Sequence, residues 1–225
     1  MQKQEKKIAG EAAAALVEAG MVLGLGTGST VTFFLEALSK KIQQGMKVRG
    51  VPTSDWTATL CRPLGIELLD IHSVDRLDLT VDGADEIDHK FRMIKGGGGA
   101  LLREKIIAEI SERVVIIVDS TKLVDLLGIF PLPVEVIRFG YKHVQSRLAD
   151  MGIVATLRFS GGKPYITDNG HYILDCPTGL IHEPELLSSQ LKAVTGVVDS
   201  GLFTNHCHTL ILGKEDTVIL RSKDS

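Results

Sequence analysis

A chain of 225 residues suits one large domain, or one domain with a smaller companion, and 44% hydrophobic with 24% charged residues is the composition of a packed globular protein. A net charge of −3 without a Lys/Arg block argues against nucleic acid as a main partner. No apolar run approaches the ~18 residues a membrane helix needs, and the basic start, interrupted by Glu11, Glu18 and glycines, lacks a signal peptide's apolar core.

Taken in chain order, Lys3 to Ala19 reads as an alanine-rich helix ending near Gly20. MVLGLG is a short apolar strand, followed by an amphipathic helix over STVTFFLEALSKKIQQG, with Ser29 or Thr30 as cap and Gly45 as stop. KVRGVPTS is a second strand, DWTATLCRPLG a short helix, IELLDI a third strand and RLDLTVDGAD a fourth. ALLREKIIAEISE is helical, and RVVIIVDS is apolar throughout, as in a parallel sheet covered on both faces. This alternation predicts an α/β fold, a Rossmann-like doubly wound sheet. Two prolines in LGIFPLPVEVI mark a boundary near Ile129. Beyond it come a helix (YKHVQSRLADMG), a strand and hairpin (IVATLRF, then YITDNGHYILDC turning at Asp168-Asn169-Gly170), a helix (PELLSSQLKAVTG) and a strand (VVDSGLF). The expectation is a catalytic domain of residues 1–128 plus about 207–225, and a smaller α+β domain of about 129–206.

Four stretches carry chemistry. GLGTGST, Gly24 to Thr30, joins a strand to a helix, where backbone N–H groups and the helix dipole gather around an anion. It has no Walker lysine, and Ser29 stands where a dinucleotide fingerprint wants its third glycine, so a small phosphate suits it better than a pyrophosphate. A plain tight turn would also account for the glycines. Asp82 and Asp85 flank Gly83-Ala84 at the carboxyl end of a strand, where open α/β sheets place ligands, although aspartates are common turn residues. Lys95 opens the run Gly96 to Gly99, whose ordering costs entropy unless something must approach the backbone closely. Glu104 follows in the first turns of the next helix, and Lys122 follows a later strand. Glu86 and Asp88 read as solvated surface, and Trp56 as core. The three cysteines, Cys61, Cys176 and Cys207, are too scattered for a disulfide framework, which fits a cytoplasmic setting. His206-Cys207-His208 lacks the second ligand pair of a zinc site.

In sequence, GLGTGST, TVDGADEID, KGGGGALLREK and VDSTK resemble the ribose-5-phosphate isomerases of type A, and the resemblance continues through PLPVEV, TDNGHYILDC and GVVDSGLF over nearly the whole chain. FTNHCHTL departs from the family's pattern, with His206-Cys207 where an Ala-Asp type pair is expected. The resemblance implies interconversion of D-ribose 5-phosphate and D-ribulose 5-phosphate in the pentose phosphate pathway, with no metal or organic cofactor, in a homodimer or higher homo-oligomer. Carried onto matching positions, it implies Glu104 as base, with Asp82, Asp85 and Lys95 at the reacting end of the sugar. Thr27, Gly28, Ser29, Thr30, Gly83, Ala84, Gly96, Gly97, Gly98 and Lys122 complete the substrate-binding set, and Lys7 reaches for the phosphate. The alternative is a non-catalytic sugar-phosphate-sensing module of related fold, which need not keep a base and an electrophile together.

Overall fold

The computed structural model describes residues 1–223. They form two compact units: Met1–Ala84, Arg103–Leu123 and the chain from His206 on, and Asp85–Leu102 with Val124–Asn205. The segment 85–102 therefore groups with the second unit, because Met93–Ile94 pairs with both Glu86–Asp88 and Leu202–Phe203 rather than with the large sheet.

In the first unit, β1 (Val22–Leu25), β2 (Arg49–Pro52), β3 (Glu67–Leu68), β4 (Leu77–Asp82), β5 (Ser111–Asp119), β6 (Thr209–Lys214) and β7 (Thr217–Ser222) make one sheet in the order β7-β6-β5-β4-β1-β2-β3. All neighbours are parallel except β6 and β7. From β1 the chain first builds outward through β2 and β3, then returns to lay β4 on β1's other side. That reversal is the position at which open α/β sheets place their ligands, here the carboxyl ends of β1 and β4. One face is covered by α1 (Gln2–Ala15) and α2 (Ser29–Gln43), whose Ala9, Ala13, Phe34, Leu35 and Leu38 pack with Leu23, Leu25, Val81 and Ile117. The two helices meet closely at Gly10, where a Cβ would lie 2.6 Å from the Phe34 nitrogen. Ile107 of α4 (Leu101–Glu109) packs with Val51 and Leu77.

Several boundaries differ from the sequence reading. The first helix ends at Ala15, and α3 (Asp55–Cys61) stops four residues short of Gly65. Ser111 and Glu112, read as helical, open β5, because Ser111 pairs with Leu77 of β4. Trp56 is half exposed, not core: α3 buries Thr57 and Cys61, one turn apart, and leaves Trp56 on the other side. The cysteines are free and buried, and burial pushes each thiol up to about 12.

One buried carboxylate ties the ends of this unit together. Glu5 of α1 accepts from the Ser120 N–H (3.0 Å), the Ser120 hydroxyl (2.7 Å) and the Glu215 N–H (2.9 Å). The Glu215 and Ser120 bonds hold its pKa below the ordinary 4.5. A depressed carboxylate stabilises the folded state above its unfolded pKa and loses that contribution as pH falls through the folded one. Glu5→Gln is therefore expected to destabilise by about 1–3 kcal/mol at pH 7. Melting curves of the two proteins should converge on acidification below pH 4.5, the ordinary value.

In the second unit, four strands form an antiparallel sheet in the order Thr156–Leu157, Tyr172–Cys176, Leu132–Val136, Val197–Ser200. The helices α5 (Tyr141–Asp150) and α6 (Pro184–Lys192) supply Val144, Leu148 and Leu191 to a core with Val134, Val136 and Leu174. Glu86 and Asp88 are buried here, not solvated. Glu86 takes the N–H groups of Gly128 (2.7 Å) and Phe130 (2.6 Å), and Asp88 pairs with Arg92 at 2.7 Å. Such acids survive burial because their charge is matched by donors.

Candidate active site

Within the first unit the parallel strands bring several of the expected residues to one sheet end. β1 runs into Gly26–Gly28, and Gly28, at φ 128, caps α2 without a side chain, so the first N–H groups of α2 are available to an anion. Asp82 closes β4 beside this turn, and its Oδ1 accepts from the N–H groups of Thr27 (3.0 Å) and Gly83 (2.8 Å). A Cβ on Gly26 would overlap that carboxylate, which accounts for glycine there. The Thr27 hydroxyl turns inward, 2.7 Å from that of Thr53, 2.8 Å from Ser54 and 3.0 Å from Thr57. Ser54 in turn caps α3 by accepting from the Thr57 N–H.

Lys122 ends the short helical turn after β5 and is half-buried at the same sheet end. Glu104 lies in the first turn of α4 and is 4% exposed. Because α4 leads into β5, parallel to β4, its amino end sits toward the carboxyl ends of these strands. Glu104 is one helical turn before the sheet-facing Ile107 and shares its face. A carboxylate is thus withdrawn from water at the sheet end that carries the Gly26–Gly28 turn and the open amino end of α2.

The second unit carries Asp85, Lys95 and the glycine run. Asp85 is half-buried, and its Oδ2 accepts from the Gly97 N–H at 2.7 Å; a Cβ on Gly97 would stand 2.6 Å from Oδ1. Gly99, at φ 82, lies against the Tyr165 ring, where a Cβ would collide. The run is therefore glycine because a carboxylate and a phenol both press on its backbone. Lys95 is 3% exposed, donates its N–H to Gly201 at 2.9 Å, and holds its ammonium 5.5 Å from the Phe203 ring centroid.

The structure also brings forward residues the sequence reading passed over. Lys7 is exposed and lies 3.9 Å from Glu11, whereas Lys6, one position earlier on α1, puts its Nζ 2.9 Å from the Ser29 hydroxyl and 3.8 Å from Asp119. Lys6 lines, with Gln2, Ser29, Thr32 and their neighbours, a shallow recess of about 500 Å³. Helical phase was the available signal: only one of two adjacent lysines on a helix can face the next element. Arg158 and Tyr165 hold the glycine run's carbonyls, and nothing local in RFSGGKPY announces it. In the His206-Cys207-His208 segment, His208 Nδ1 accepts from the Val114 N–H at 2.9 Å and Cys207 is buried. Among the described residues no three His, Cys, Asp or Glu side chains are grouped to hold a metal ion, and no helix is long and apolar enough to cross a membrane.

The family model for ribose 5-phosphate isomerase A (phosphoriboisomerase A) matches residues 49–217. A ribose-5-phosphate isomerase A of Caulobacter sp. is 50% identical over 96% of this chain and 96% of its own length. Among solved structures, ribose 5-phosphate isomerase from Plasmodium falciparum superposes with a TM-score of 0.94 at 38% identity, covering 99% of this chain and 100% of that one. A D-ribose-5-phosphate isomerase in complex with phospho-erythronic acid superposes with a TM-score of 0.96 at 36% identity, covering 99% and 100%.

Proposed function

The chain belongs to the ribose 5-phosphate isomerase A family, and on that premise we propose that it interconverts D-ribose 5-phosphate and D-ribulose 5-phosphate through an enediolate, with Glu104 as the base. The observation that carries this reading is a buried glutamate at the same sheet end as a glycine turn that leaves the amino end of α2 without a side-chain cap. Glu104 takes the proton from C2 of the opened aldose, electrons move to the carbonyl oxygen, and the same carboxylic acid returns the proton to C1. One carboxylate on one face of the sugar serves both transfers. The Lys95 ammonium and N–H groups of the glycine run stabilise the oxyanion. A second acid, Asp82 or Asp85, exchanges the proton between O1 and O2 and assists opening of the ring.

The phosphate sits at the amino end of α2, on the N–H groups and hydroxyls of Gly28–Thr30, with Lys6 and Lys122 as cations. Asp82 and the inward Thr27 hydroxyl hold that turn in shape. Phospho-erythronic acid, named with a solved relative, is a phospho acid whose planar carboxylate resembles the C1–C2 enediolate, and in our reading the same groups take it here. The reaction places the protein in the non-oxidative pentose phosphate pathway.

The direct test is ribulose 5-phosphate formation from ribose 5-phosphate by the wild-type protein; no turnover would remove the reading. Lys122→Ala, which deletes a cation remote from the reacting carbons, is expected to raise KM about tenfold with kcat nearly unchanged, and a pure kcat defect would contradict its binding role. Activity is expected to survive exhaustive chelation. Loss on EDTA treatment, reversed by one divalent ion, would overturn the metal-free mechanism.

A further inference from the structure

Gly96–Gly99 form a β-turn in which the Gly99 N–H donates to the Gly96 carbonyl at 2.9 Å, and the two central residues, Gly97 and Gly98, are exposed. The middle peptide of such a turn has two common orientations, type I and type II, related by a flip of about 180°. Type II requires a positive φ at the second central residue, which glycine accepts readily. Gly98 does not adopt it, although Gly96 (φ 100) and Gly99 (φ 82) on either side do have positive φ. With glycine at both central positions the turn itself does not choose. The choice comes from outside it.

Arg158 Nη1 donates to the carbonyls of Gly96 (2.8 Å) and Gly97 (3.1 Å), and the Tyr165 hydroxyl donates to that of Gly98 (3.2 Å). Arg158 is itself clamped by Asp175, through Nε to Oδ2 at 2.9 Å and through Nη2 to Oδ1. A trans peptide points its carbonyl and the following N–H in opposite directions. Holding the Gly97 carbonyl toward Arg158 therefore turns the Gly98 N–H away from it. The Gly97 N–H is taken by Asp85 and the Gly99 N–H by Gly96, whereas among the described residues none accepts from Gly98.

We propose that Arg158, clamped by Asp175, is a positioning residue that selects the orientation of the Gly97–Gly98 peptide and so presents the Gly98 N–H to the enediolate oxygen. The proposal rests on the isomerase reading above. A lysine cannot replace this arrangement, since one planar fork serves two carbonyls and a carboxylate together.

In Arg158→Met the middle peptide is released, and kcat is expected to fall about 100-fold, the scale of one lost oxyanion donor, with KM within about threefold. In Arg158→Ala, added methylguanidinium is expected to restore part of kcat, and to do nothing in Arg158→Met, where the longer side chain fills the slot. Asp175→Asn keeps Arg158 but loosens it, giving a smaller kcat loss in the same direction, and serves should the Arg158 variants fold poorly. An unchanged kcat in Arg158→Met or Asp175→Asn overturns the proposal, as does a joint loss of kcat and melting temperature without response to methylguanidinium. Wild-type turnover of ribose 5-phosphate is measured alongside: its absence overturns the isomerase reading itself, which separates the two failures.

Discussion

Replacing Glu104 by Gln is expected to leave a folded protein that still takes up sugar phosphate while kcat falls by about 10³-fold or more. The amide matches the carboxylate in shape, and Glu104 is 4% exposed, so the substitution removes a buried charge rather than creating a cavity. What disappears is basicity. An amide cannot accept a proton from carbon, and no water at that buried position would be held in line with C2 and C1 in turn. The groups proposed to bind the phosphate, on α2 and after β5, are untouched, so KM should stay close to wild type, and melting curves should show that the fold is intact. Turnover of ribose 5-phosphate, followed in both proteins side by side, decides the matter. Wild-type-like kcat in Glu104→Gln removes Glu104 from the role of base.

Much of the first unit was legible because its signals are local. β5 presents six consecutive buried residues from Val114, which only a strand covered on both faces tolerates. The glycine and aspartate punctuation at the ends of β1 and β4 marks the sheet end directly. Long-range pairing was not legible. Glu86 read as a surface acid because its partners, the N–H groups of Gly128 and Phe130, lie 42 and 44 residues further on. Asp88 pairs with Arg92 only four residues away, but which way that turn faces is set by the fold around it. The run KGGGG announced a close approach without naming what approaches. Asp85 lies twelve residues before Gly97 and Tyr165 lies far along the chain, so the pressure on the backbone is a tertiary fact. Lys6 and Lys7 differ only by helical phase, and the resemblance was carried to the wrong-facing neighbour as far as contact with Ser29 goes.

The second large effect is expected at Lys95. Lys95→Met should lower kcat about 10²–10³-fold, about 2.7–4 kcal/mol of transition-state stabilisation, with KM little changed. A lysine 3% exposed has given up most of its hydration, a cost that groups facing its charge must offset. With water excluded, its field on a nearby oxyanion is far stronger than in solution. The aldehyde substrate carries little charge at that oxygen and the enediolate carries much, so the ammonium favours the transition state over the bound substrate, and its loss appears in kcat. Methionine has nearly the same length and packs well against the Phe203 ring, so melting temperature can be compared free of a cavity effect. Lys122 provides the contrast. In the proposed complex its cation meets a phosphate whose charge is the same in both states, so deleting it is expected to raise KM, and finding both lysines to act through KM alone would remove Lys95 as electrophile.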